Sequence, residues 1–267
     1  MVSVKKIAGL AFGGAAIIGS GLGVCKISDA HRKKITDQRY TQTWQKLHQQ
    51  NPTKYHDRAI ICSMKDAKPT FYDNLMETDT SIGMGSAIRF KRILNTETNN
   101  LKSNEPIDLV IVMETGGGEI GAIKMICDAI GTFKNEYNGN IFTVVRSHAF
   151  SGGSIIALSS DYIMLDKYSV LSKIDPQMSG IPIKYFKKED DDKNNGLIDK
   201  IADGLATDGY GTLEDILSKH VKPKYDDDTY SDIIENFVLS DRIHGHSFTK
   251  QDCIQMGLKI DDIPDNL

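Results

Sequence analysis

Two glycine-rich turns carry the residues of this chain best suited to chemistry. The first is Glu114-Thr115-Gly116-Gly117-Gly118-Glu119 and the second is His148-Ala149-Phe150-Ser151-Gly152-Gly153-Ser154. Consecutive glycines let a backbone come close to a ligand and turn its N–H groups toward an anion. A serine in such a turn offers a hydroxyl beside the N–H of the next residue. Together the turns could supply what acyl transfer requires, a nucleophile and two backbone donors for a tetrahedral oxyanion. The plainer alternative makes both ordinary strand-to-helix turns, with Ser151 a helix N-cap. Ser154, one helical turn further on, is a second candidate nucleophile.

The flanking pattern says what must position these turns. Ile107–Met113 is a continuous apolar run, as a central parallel strand needs, and it leads into the first turn. Ile120, Ile123, Cys127 and Ile130 follow at helical spacing until Asn138-Gly139. A strand over 141–145 then leads into the second turn, with a helix over 151–160 and short strands over 162–165 and 169–174. A buried strand at 58–64 and a short helix around 87–94 precede them. This alternation is the βαβ rhythm of an α/β sheet, where ligands bind outside the carboxyl ends of strands. Both turns fall at such ends. Asp108 and Glu114, flanking the 107–113 strand, are expected to face solvent. After Pro176 comes a charged stretch over 187–195, including Asp190, Asp191 and Asp192, read as solvated rather than as a metal site. Helices are expected over 196–206, 212–221, 226–239 and 249–256.

The ordered blocks Asp108–Gly118, Ala149–Leu158, Asp161–Asp166 and Asp175-Pro176-Gln177, with the closing stretch His244–Leu258, resemble the serine dehydrogenase proteinase family. That family belongs to the Clp-protease/crotonase superfamily and is related to signal peptide peptidase A. The resemblance spans roughly residues 57–260. It implies an α/β fold with a repeated ββα/βα core and C-terminal helices. The implied activity is hydrolysis of an extended peptide through an acyl-enzyme on Ser151, in a homo-oligomer; the residues show neither a dinucleotide fingerprint nor a clear pyridoxal-phosphate lysine context, so no cofactor is expected. It places the oxyanion donors at Gly118 and Gly152, with Gly117 and Gly153 completing the substrate-facing turns. The family's Pro-Gly-Gly turn reads Gly116-Gly117-Gly118 here, which removes a fixed φ but no donor.

The general base is open at this stage. Clp proteases carry a histidine about two dozen residues after the serine, where this chain has Lys173, Ile174 and Asp175. Lys173 could serve if burial lowered its pKa. His244 aligns best with a histidine of the C-terminal block, His246 is a weaker candidate, and His148 is expected to point away. Two other functions compete with the peptidase: an acyl-CoA enzyme of crotonase type, and an inactive scaffold that keeps the fold.

Bulk properties narrow the setting. The chain has 267 residues, 40% hydrophobic and 25% charged, and a formal net charge of −4, which gives no general attraction to nucleic acid. Cys25, Cys62, Cys127 and Cys253 lack metal or disulfide spacing and read as reduced thiols. Ile7–Cys25 is an uncharged apolar run with Gly9/Gly13 and Gly19/Gly23 spacings. As a helix it would rise roughly 28 Å, close to a bilayer's hydrocarbon thickness. We therefore expect an N-terminal apolar helix, a single-pass anchor at 7–25 in an N-terminal segment that runs as a polar stalk to residue 56. The catalytic domain is expected over 57–267. Lys26, Arg32, Lys33 and Lys34 outweigh Lys5 and Lys6, which places the body on the cytoplasmic side.

Overall fold

The apolar run that begins at Ile107 forms an interior strand of a seven-stranded, mostly parallel sheet. A computed structural model describes residues 40–64, 81–104, 106–178, 181–182 and 196–264. It contains a helix over 40–50 (α1), β1 (Arg58–Ser63), β2 (Ser81–Ile82) and α2 (Met84–Thr98). Then come β3 (Ile107–Thr115), β4 (Gly117–Gly118), α3 (Ile120–Glu136), β5 (Ile141–Ala149) and α4 (Gly152–Leu158). The later elements are β6 (Tyr162–Leu165), β7 (Val170–Ser172), β8 (Gln177–Met178), β9 (Ile181–Pro182) and α5 (Gly196–Ile216). The chain continues through α6 (Asp227–Ile233), β10 (Ser247–Thr249), α7 (Lys250–Gln255) and β11 (Ile260–Asp261). Wide helical turns at Leu217–Val221 and Ile234–Leu239 prolong α5 and α6.

The main strand order is β1-β3-β5-β6-β11, with each neighbouring pair parallel. β7 runs parallel to the end of β5, and β10 pairs antiparallel with β7. β3 is apolar throughout its middle because both faces of the sheet are covered. Leu109, Ile111 and Met113 join Ile123, Ile126 and Cys127 of α3 in the larger core. Val110 and Val112 point the other way, to Trp44, Tyr55 and Phe142. Trp44 stands edge-on to both of those rings, and loss of such a buried ring costs about 3–5 kcal/mol.

Several expectations change here. The described part of the expected stalk, 40–56, lies against the sheet, with Trp44 1% exposed. Asp108 was expected to face solvent and is instead fully buried. Its carboxylate accepts from His56 N (2.7 Å), Trp44 Nε1 (3.2 Å) and Asn140 N (2.8 Å), and pairs with His56 Nδ1 (2.6 Å). A carboxylate survives burial only when donors converge on it in this way. The helices expected over 196–206 and 212–221 are one helix, continuous through Gly209. That glycine is a close-approach site: a Cβ there would sit 3.2 Å from Pro176 Cβ. The short helix near 87–94 extends over Met84–Thr98, and α7 is preceded by β10. The anchor at 7–25 lies outside the described residues. Among those described, no helix is long and apolar enough to cross a membrane.

Asp161 ties the start of the sheet together. Its Oδ2 accepts from Ile141 N (2.9 Å) and Lys134 Nζ (2.8 Å), and its Oδ1 from Lys224 Nζ (2.6 Å). Burial alone would raise its pKa, but Lys224, Lys134 and the Ile141 N–H outweigh burial and hold it below the ordinary value. A depressed carboxylate contributes stability above the unfolded pKa of about 3.9 and loses it as pH falls through the folded value. Asp161→Asn should therefore be less stable at pH 7, on the order of 2 kcal/mol. In urea titrations that deficit should shrink below about pH 4; a deficit independent of pH would refute the account.

Candidate active site

β3 and β5 end side by side because their register shifts. Met113 pairs with Val145, but Thr115 pairs with Ala149, so β5 carries extra residues at its end. Phe150 N then donates to Thr115 O at 2.9 Å, and the two glycine turns become neighbours. Gly117 has φ +98°, and Thr115 Oγ1 accepts its N–H at 3.1 Å. A Cβ at Gly117 would lie 2.8 Å from both Phe150 O and Ser151 Cβ, so only glycine lets the turns touch. A Cβ at Gly152 would lie 2.6 Å from Ile123 and 3.6 Å from Gly118 N. The backbone nitrogens of Gly118 and Gly152 thus border one spot. Gly153 differs from the expected substrate-facing role: its N–H donates to Phe150 O at 2.8 Å and serves the turn itself.

Ser151 has φ 49° and ψ −113°, outside the ordinary regions for a residue with a side chain. Such a conformation costs about 1–3 kcal/mol and persists only when its surroundings impose it. Here Ser151 N donates to Ser172 Oγ at 2.8 Å. Ser172 is held in turn, its N–H donating to Ser154 Oγ at 2.9 Å. The Ser154 oxygen also lies 2.7 Å from Ala149 O and 2.9 Å from Ser172 O. Ser154 is therefore a fully buried tie between strand ends, which removes it as a nucleophile. Ser151 makes no side-chain cap to α4, so the N-cap alternative does not describe it.

The Ser151 side faces a cavity of about 560 Å³. Gly116, Gly117, Gly118 and Gly152 border it, α5 contributes Leu205 and Leu213, and Asp175 and His244 lie on its rim. β10 brings His244 there, because its antiparallel pairing with β7 (Ser247 to Ser172) returns the chain beside Asp175. His244 Nδ1 is hydrogen-bonded to Asp175 Oδ1, and Asp175 is buried. A carboxylate only accepts, so in the neutral ring Nδ1 carries the proton and Nε2 keeps its lone pair. Among the described residues no hydrogen bond joins the Ser151 hydroxyl to His244; in unliganded sites such contacts are commonly loose and tighten with substrate.

The other base candidates lie elsewhere. Lys173 is 1% exposed and does not border the cavity. Its ammonium donates to Ser240 O and to Arg242 O, the latter at 3.2 Å. The expectation of Lys173 as base meets a different arrangement: its ammonium is engaged by the carbonyls of Ser240 and Arg242, and it does not border the cavity that Ser151 lines. His246 Nε2 lies 3.2 Å from Arg242 Nη1, with the ring edge-on to Phe248, and His148 contacts Ser147. Sequence reading missed Ser172 and Thr115, and read Ser154 as a candidate nucleophile rather than as a tie. Their roles depend on contacts between elements distant in the chain, and a lone hydroxyl residue in a strand or helix carries no signal of that.

Residues 90–267 match the family described as ClpP-like SDH-type serine proteinase. The chain belongs to that family. The resemblance read from the motif blocks is the same one, and the mostly parallel α/β sheet agrees with it. An uncharacterized protein of Methanocaldococcus jannaschii, MJ0137, is 26% identical over 169 residues, covering 61% of this chain and 57% of its own. A second from that organism, MJ1495, is 27% identical over 160 residues, covering 58% and 52%. The chain thus aligns with about half the length of these curated relatives. A mutant of the 1510-N membrane-bound stomatin-specific protease aligns over 76% of this chain and 78% of its own, at 15% identity and a TM-score of 0.44. That overlap is too loose to argue from.

Ser172→Ala removes the acceptor that holds Ser151 N. The serine should relax toward an ordinary conformation, slowing its reaction with a fluorophosphonate by about tenfold or more, equivalent to roughly 1.4 kcal/mol. An unchanged labelling rate in a folded variant would show that Ser172 does not hold the conformation.

Proposed function

We propose that this chain is a serine peptidase in which Ser151 is the nucleophile, His244 its general base and Asp175 the group that orients the base. The observation that supports it most is the strained, uncapped Ser151 bordering the same cavity as the hydrogen-bonded His244–Asp175 pair. The chain order is serine, then aspartate 24 positions on, then histidine; triads are recognised by roles and geometry, not by order.

In this reading a peptide lies extended along the cavity with its carbonyl carbon over Ser151 Oγ. The Oγ–C bond forms as the hydroxyl proton passes to His244 Nε2, and the carbonyl oxygen takes the negative charge. The N–H groups of Gly118 and Gly152 hold that oxygen. Asp175 keeps the Nδ1 proton in place and stabilises the imidazolium without taking a proton. His244 then returns its proton to the leaving amine as the C–N bond breaks, and water repeats the sequence to free Ser151. The test is intact-mass detection of a fluorophosphonate adduct on the full chain. One adduct is expected, absent in Ser151→Ala and formed at least a hundredfold more slowly in His244→Ala, about 2.7 kcal/mol. No adduct on the folded wild type would instead favour an inactive scaffold.

The proposal extends to the N-terminus, where the apolar run Ile7–Cys25 would hold the body at a membrane, on the cytoplasmic side. The full chain should stay with membranes through alkaline carbonate washing, and a chain starting at residue 40 should not. Release of the full chain by carbonate would exclude a spanning anchor.

A further inference from the structure

The loop that carries His244 is not anchored by apolar burial. Leu239 is 63% exposed and Ile243 72% exposed, on either side of the turn from Ser240 to Arg242. Yet His244 must stay over Asp175 for its Nδ1 contact to exist. What reaches this turn from the core is the Lys173 ammonium, which donates to Ser240 O and Arg242 O. The same stretch of chain is stitched by its backbone as well. Lys173 N donates to His246 O at 3.2 Å, and Ile174 N donates to Phe237 O at 2.7 Å. Lys173 therefore grips the loop on both sides of His244, by its side chain before it and by its N–H after it.

The chemistry of the side chain bears on why a lysine stands here. A buried ammonium costs several kcal/mol unless donors find acceptors, so an apolar residue would fill the space more cheaply. Ser240 ends the wide helical turn Ile234–Leu239, and carbonyls at a helical C-terminus lack partners within the helix and attract a cation. The ammonium satisfies carbonyls there and fixes the direction in which the next residues leave. Two residues beyond Arg242, the chain presents His244.

We propose that Lys173 is a positioning residue that sets the orientation of His244 by pinning the 240–242 turn. This rests on the assignment of His244 as the base. Lys173 does not line the cavity, and its effect on the reaction would pass through His244.

A double-mutant cycle on the full chain tests this, read as the maximal rate and half-saturating concentration of fluorophosphonate labelling. Lys173→Met replaces the ammonium with an apolar chain of similar length. It should slow the maximal rate by about 10–100-fold, with half-saturation little changed, since misplacement of a base costs that much. Added to His244→Ala, Lys173→Met should slow labelling by less than about twofold, because residues acting as a unit are not additive. Lys173→Gln, which keeps a donor on a shorter chain, should recover part of the rate, and it carries the same cycle if the methionine variant does not fold. A full Lys173→Met effect in the His244→Ala background overturns the inference while leaving the base assignment standing. Wild-type labelling by His244→Ala alone removes the base assignment, and the inference with it.

Discussion

The site depends on one backbone conformation. Ser151 is held at φ 49°, where a residue with a side chain sits only under constraint, and that constraint is built from small polar groups. Ser172 Oγ takes the Ser151 N–H, Ser154 Oγ takes the Ser172 N–H, and Thr115 O takes the Phe150 N–H. None of these groups is large or charged. Together they hold Ser151, at the start of α4, on the border of the cavity with its side chain making no cap to the helix. Three glycines make room for this. Gly117 passes under Ser151, Gly152 lies on Ile123, and Gly153 lies on Thr115, where Cβ atoms would meet their neighbours at 2.5–2.8 Å.

The two edges of the sheet divide the work. At the starts of the strands, Asp108 and Asp161 gather backbone N–H groups and cations into buried or half-buried clusters. These fasten α1, the 137–140 turn and the lysines of α3 and the 222–224 turn to the sheet. At the carboxyl ends of β3 and β5, polar groups serve instead to strain a serine and to border an open cavity. Parallel strands make this division natural, because every strand start and every strand end lies on a common edge. The C-terminal part of the chain then crosses back through β10 to add a histidine to the second edge.

Much of the sheet could be read in the sequence, since β3, β5, β6 and α3 have the period and length that decide their type locally. The two glycine turns were also legible, because chemistry constrains their composition. Other features were misread for a common reason. Asp108 looked like a solvent-facing charge, and is buried because donors from residues 44, 56 and 140 converge on it. Lys173 looked like a candidate base because it follows the serine at a suggestive distance, while its acceptors lie at 240 and 242. Residues 40–56 looked like a polar stalk, since Trp44 and Leu47 alone do not announce the face they cover.

By itself, the sequence determined the strand-helix rhythm, the place of both turns at strand ends, the nucleophile candidate and the family. Those properties follow from local periodicity and from motifs whose spacing along the chain is also their spacing in space. Only the tertiary structure decided which histidine meets which carboxylate, because Asp175 and His244 are joined by the return of β10 onto β7. It likewise decided between an N-cap and a cavity-lining serine at Ser151. That choice rests on a hydrogen bond from the Ser151 N–H to Ser172 Oγ, twenty-one residues away along the chain, whose geometry no local pattern encodes.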